Sequence, residues 1–131
     1  MQRTFPPLWS AVPLLMLPIL AALFLTHLAF WPAQMSPDSI EQWSQIVAGS
    51  GVTDAHPALS FLLNWLPYQL VPSPAFVVAV QYCLFGFSVA LLIWELGRDR
   101  LPFPVLAGIA LISALFVPNL LIATTLWKDV L

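Results

Sequence analysis

The sequence predicts an all-α protein, a polytopic transmembrane helical bundle of about three spanning helices with additional juxtamembrane or re-entrant helices. Three observations predict it. Of 131 residues, 60% are hydrophobic and 8% charged, against roughly 25% charged in soluble domains, too few to cover a water-facing surface. The charges are clumped, leaving uncharged intervals at 4–37, 55–94 and 101–127, each long enough for a membrane helix of about 20 residues. The 13 prolines fall mostly at the ends and bends of apolar runs, where loops and neighbouring helices satisfy the freed backbone groups.

The first uncharged stretch, 8–31, follows Arg3 and as a helix is about 36 Å long, enough to cross a bilayer with some tilt. A cleavable signal peptide has a shorter apolar region, about 7–15 residues, ending in small residues. Here the run ends in Phe30-Trp31-Pro32, an aromatic interface anchor followed by a helix breaker, and reads as an uncleaved anchor. His27 within it reads as a packed or interface-facing polar residue.

The most polar segment, 33–57, opens with helix-start chemistry: Ser36 as N-cap, Pro37 at the first helical position and Asp38 in the first turn. Gly49 and Gly51 supply the stop. Over 36–48, Asp38, Glu41, Gln42 and Gln45 share one face and Ile40, Trp43, Ile46 and Val47 the other. This pattern predicts an amphipathic helix on a membrane or protein surface with its carboxylates toward water. The run 58–71, interrupted by Pro67, reaches only about 21 Å against a hydrocarbon core of roughly 30 Å and is expected to be juxtamembrane or re-entrant. The stretches 74–96 and 102–126, the latter bent near Pro118, are the second and third expected spans.

Arg98 and Arg100 make up half of the four basic residues, and Arg3 is a third. Lys/Arg enrichment marks the cytoplasmic side, so the N-terminus and the 97–100 loop are expected inside, with 32–57 and 127–129 sharing the outer face. Were 58–71 to cross, the arginine loop would move outside, against the bias. Net charge is −2 without a basic run, which excludes the electrostatic signature of a nucleic-acid partner. The lone Cys83 lies in an apolar run, permits no intrachain disulfide and reads as a packing residue.

Asp38, Glu41, Asp54 and His56 fall within one loop, and the expected topology brings Lys128 and Asp129 to the same face. Ionisable groups gathered at a membrane boundary are functional candidates. A carboxylate there can take a proton from a hydroxyl nucleophile or bind a divalent cation that neutralises a phosphate leaving group. A purely structural reading stays open: Asp38 and Glu41 as the wet face of a surface helix, Asp54 to Pro57 as a turn, and Lys128 beside Trp127 as an interface anchor. The two histidines sit in different segments with no HExxH or Cys/His cluster, and no GxSxG, P-loop or dinucleotide fingerprint occurs.

The order of a first membrane helix, MSPDSIEQWSQIVAGSGVTDAHPALSFLLNWL, two more helices and TLWKDVL resembles the N-terminal part of bacterial GT-C superfamily glycosyltransferases, related to protein O-mannosyltransferases and the lipid A aminoarabinose transferase. The resemblance implies transfer of a sugar from a polyprenyl-phosphate carrier to an acceptor on the extracytoplasmic side of the bacterial inner membrane, with a divalent metal, Mg or Mn. It implies Asp38 as general base or metal ligand with Glu41 as its companion, Asp129 as a second metal ligand, and Asp54, His56 and Lys128 at the carrier phosphate. Many relatives carry Asp-Glu where this chain has Asp38-Ser39, which alters the expected ligand set. Because such enzymes are several times longer, the resemblance also implies a truncated portion, inactive alone. The alternative from another class is a small non-enzymatic membrane subunit or transporter fragment whose acidic loop binds a partner or cation.

Overall fold

A computed structural model of the chain describes residues 6–49 and 58–124. Its elements are six helices: α1 (Leu8–Ala29), α2 (Pro37–Ala48), α3 (Ala58–Leu70), α4 (Pro74–Gly97), α5 (Phe103–Leu115) and α6 (Val117–Thr124). No strand occurs among the described residues.

The helix boundaries follow from local chemistry. The Ser36 hydroxyl accepts the Ser39 amide at 3.2 Å and Pro37 occupies the first turn, as expected of an N-cap followed by a residue whose missing N–H needs no partner. Gly49 ends α2 with φ 63°, a left-handed conformation that costs a residue lacking Cβ little. Pro74 starts α4 in the same way as Pro37 starts α2.

The expected third span is not one helix. The chain breaks at Phe116, whose ψ of 104° is extended, leaving helices of 13 and 8 residues. Pro118 explains the break: it has no N–H to give to Ala114, and its ring would collide with that carbonyl in a continuous helix. Near the break, Asn119 Nδ2 donates to the Ser113 carbonyl at 3.3 Å, covering an acceptor at the end of α5. At about 20 Å, α5 alone is shorter than a hydrocarbon core of roughly 30 Å. Two helices, α1 with 22 residues and α4 with 24, are long and apolar enough to cross a membrane.

α1 and α4 are the centre of the packing, and they run antiparallel. His27 near the end of α1 lies beside Tyr82, with ring centroids 5.7 Å apart. Halfway along, Gly86 faces Ile19 and Leu20 so closely that a Cβ would stand 3.0 Å from Leu20 Cδ2. At the other end Ala11, Val12 and Leu15 share a cluster with Ala90, Trp94, Leu106 and Ala110. Small residues at these contacts let backbones approach, the packing mode of helices that gain nothing from moving between lipid and each other's apolar surface. α5 and α6 lie along α1, and α3 lies against α4.

Only 28% of the apolar window in α1 and 33% of that in α4 is buried. Trp9, Leu17, Leu25, Leu96 and Ile112 are all more than 60% exposed. The interior helix of a water-soluble protein would have these side chains covered. Both long helices thus carry apolar outer faces and could cross a membrane.

A candidate site at the polar end of the bundle

The antiparallel pair gives the bundle two chemically distinct ends. One holds the start of α1 and the Arg98-Asp99-Arg100 turn. At the other, one apolar cluster joins Leu23 of α1, Val77 and Val78 of α4 and Ala123 near the end of α6, with Ala33, Met35, Trp43 of α2 and Tyr68 of α3 packed onto it. Thus α2 and the last turn of α6 belong to the same end.

Asp38 sits in the first turn of α2, exposed, and Glu41 one turn on is exposed as well. A carboxylate in that first turn is favoured by the unsatisfied amides and positive end of the helix dipole. Asp54, His56, Lys128 and Asp129 lie outside the described residues. By position, His56 precedes the start of α3 at Ala58 by two residues, and Asp129 follows Thr124 by five. Among the described residues no three His, Cys, Asp or Glu side chains come together as a metal site.

The faces of α2 differ from the polar/apolar division expected of it. Ser39, Gln42 and Ile46 are buried, whereas Ile40 and Val47 are 56% and 54% exposed. The reason lies in α3: Asn64, itself buried, donates from Nδ2 to Gln42 Oε1 at 3.1 Å. That bond turns Gln42 inward and rotates Ile40 and Val47 out, where they suit a lipid interface better than water. Trp43 packs edge-on against Tyr68, with centroids 5.3 Å apart and planes at 88°, and fixes the same rotation.

Further buried polar groups cluster toward this end. Asn64 Oδ1, Gln45 Oε1, His27 Nδ1 and both amide atoms of Gln81 are buried without a hydrogen-bond partner among the described residues. His27 is packed as its sequence context suggested, edge-on to Trp31 at 5.2 Å. Sequence reasoning misses Asn64 and Gln81 and assigns Gln42 to the wet face. An amide inside an otherwise apolar run is nonetheless a legible signal, since burying one without partners costs about 1–3 kcal/mol.

No known protein family, characterised protein or solved structure matches this chain. The chemistry of the site rests on its residues alone.

The Gln42–Asn64 bond makes a specific prediction. Replacing either residue by Leu breaks this bond between two buried amides and is expected to lower stability by about 1–3 kcal/mol, whereas the double replacement is expected to cost less than the sum of the two. Detergent-micelle unfolding followed by tryptophan fluorescence reads the cycle. Additive single-mutant losses would show that the pair is not coupled.

Proposed function

We propose that the chain belongs to a bacterial inner-membrane glycosyltransferase, with the N-terminus cytoplasmic, that transfers a sugar from a polyprenyl-phosphate carrier to an acceptor at the extracytoplasmic face. The observation that carries this reading is the shared end: α2, with its acidic first turn, and the close of α6, which leads toward Lys128 and Asp129, meet on one apolar cluster. A groove of about 370 Å³ between α3 and α4, lined by Trp65, Leu66, Leu70 and Val80, lies toward the same end and offers apolar walls of the kind a prenyl chain fills.

In this reading Asp38 accepts the proton of the acceptor hydroxyl as the new bond forms between that oxygen and the anomeric carbon. The bond from that carbon to the carrier phosphate breaks, and the phosphate departs with the electron pair. Glu41 adds negative charge beside the base. His56 and Lys128 are the candidates to contact the carrier phosphate, with Asp54 a further candidate for binding that substrate. Alternatively to acting as the base, Asp38 would join Asp129 as a residue to hold a divalent cation, Mg or Mn, which would supply charge neutralisation to the leaving phosphate.

Two measurements test it. Membranes carrying the chain in its native context, supplied with a panel of labelled polyprenyl-phosphate sugars, are expected to transfer label to an endogenous acceptor, and membranes lacking it are not. In intact cells with Cys83 replaced by Ala, Ser44→Cys is expected to react with an impermeant thiol reagent and Asp99→Cys to stay protected. External labelling at position 99, or no chain-dependent transfer from any donor, would overturn the reading.

A further inference from the structure

The break between α5 and α6 leaves backbone polar groups unmatched within an apolar stretch. In a continuous helix the amides of Phe116 and Val117 would donate to Ile112 and Ser113, and the Leu115 carbonyl would accept from Asn119. Here the capping amides of α1, α2 and α4 each reach a carbonyl, whereas that of Phe116 reaches none among the described residues. The amide of Val117, the first residue of α6, makes no backbone bond among them either. Both the Asn119 and Leu120 amides go to the Phe116 carbonyl, at 2.9 and 3.3 Å, and bypass Leu115. Asn119 Nδ2 serves Ser113. An acceptor at Leu115 and a donor at Val117 are thus left on either side of an extended residue, and all three residues are exposed.

Depth makes this costly. α5 starts directly after the Arg98-Asp99-Arg100 turn and is about 20 Å long, so with α4 spanning, the break falls inside a hydrocarbon layer of roughly 30 Å. Lipid offers neither donor nor acceptor there, and irregular backbone occurs only against protein or a water-filled cavity. Whatever covers the break must bring one acceptor for Val117 and one donor for Leu115. The segment itself carries that set. An extended residue puts the carbonyl before it and the amide after it on one side, with its own carbonyl on the other, and the Phe116 carbonyl is already engaged within the chain. Two such segments facing each other across a two-fold axis satisfy one another, the self-complementarity that an isologous interface requires.

We infer that the chain forms a symmetric homodimer through the α5–α6 break, each Val117 amide donating to the carbonyl of the partner's Leu115. Phe116 and the partner's Phe116 form the non-hydrogen-bonded pair of a short antiparallel ladder, with Cα atoms about 4.5 Å apart. Between membrane helices such bonds and close packing, rather than apolar burial, drive association. The inference rests on membrane placement of α4 and α5, which the labelling at position 99 tests separately, and not on sugar transfer.

The molar mass of the unaltered full chain in detergent micelles, followed by sedimentation equilibrium, is expected to be that of a dimer. With Cys83 replaced by Ala, Phe116→Cys is expected to form a disulfide-linked dimer on mild oxidation at least about tenfold faster than Leu17→Cys, since directly opposed Cβ atoms lie about 4.5–5.5 Å apart. Leu17 is the collision control, because it is 61% exposed against 56% for Phe116. Val117→Pro removes the donor at a first helical position, where proline is tolerated, and is expected to weaken the dimer about tenfold or more, two bonds being lost by symmetry. A monomeric unaltered chain, equal oxidation rates at positions 116 and 17, or an unweakened Val117→Pro dimer would each overturn the inference. The mass of the unaltered chain decides even where a variant fails to fold.

Discussion

Gly97→Val is expected to loosen the α4–α5 packing and to be among the most destabilising single substitutions in the bundle. Gly97 is buried at the last position of α4. A Cβ there would overlap Leu106 Cδ2, and Leu106 Cδ1 and Cγ each stand 3.3 Å away. A flexible neighbour could swing aside, but Leu106 is fully buried, held among Ala11, Leu15, Trp94 and Ala110. Overpacking of such a site costs about 1–3 kcal/mol, occasionally more, and valine adds two methyl groups to an already overlapping Cβ. Gly108 in α5 is the internal control. Nothing lies within 4 Å of the Cβ it lacks, so Gly108→Ala is expected to stabilise the helix by up to about 1 kcal/mol through propensity alone.

Unfolding in detergent micelles, monitored by circular dichroism, separates the two effects because they have opposite sign. Adding Leu106→Ala to Gly97→Ala is expected to cost less than the sum of the two single changes, since truncating the leucine removes the overlap while leaving its own cavity. A Gly97→Val midpoint equal to the unaltered protein's would show that α5 does not pack on α4 as described.

The structure separates what the chain encodes locally from what it encodes only through tertiary contact. Ser36, Pro37 and Gly49 act on amides and dihedrals within three residues of themselves, so both ends of α2 can be read directly from the sequence. α1 and α4 are legible for a similar reason, because length and unbroken hydropathy need no partner to be recognised. The rotation of α2 is different. Polarity assigns Gln42 to water, whereas in the structure it is buried and accepts a bond from Asn64, 22 residues later. The stop at Phe116 is intermediate: Pro118 signals a disturbance, but residues 103–124 are so uniformly apolar that no periodic pattern distinguishes a bend from a break. Among the site residues, Asp38 and Glu41 are placed as exposed acids near the start of α2, as their spacing from the cap requires. Bringing them toward the end of α6 depends on the antiparallel packing of α1 and α4, a property of side-chain volumes such as Gly86 against Leu20 that no local motif announces.

Asp38→Asn is expected to abolish transfer while leaving the protein at its normal level in the membrane. The substitution is nearly isosteric and keeps an amide oxygen in the first turn of α2, and Ser36 remains in place to cap the Ser39 amide. The negative charge it removes near a helix N-terminus is worth about 0.3–1 kcal/mol at an exposed position, too little by itself to unfold the bundle. Under the proposed function its chemical effect is much larger, because an amide cannot take up the acceptor's proton, and loss of a general base slows a reaction by about 10²–10⁴-fold. Asp38→Glu restores the basic group at a displaced position and is expected to recover part of the rate, whereas Glu41→Gln, one turn farther along the helix, is expected to have a smaller effect. The readout is the initial rate of label transfer per unit of membrane-embedded protein, paired with the unfolding midpoint of each variant. A wild-type rate in Asp38→Asn would remove this residue from the chemistry, and a lowered midpoint accompanying a lowered rate would assign it to holding α2 in place.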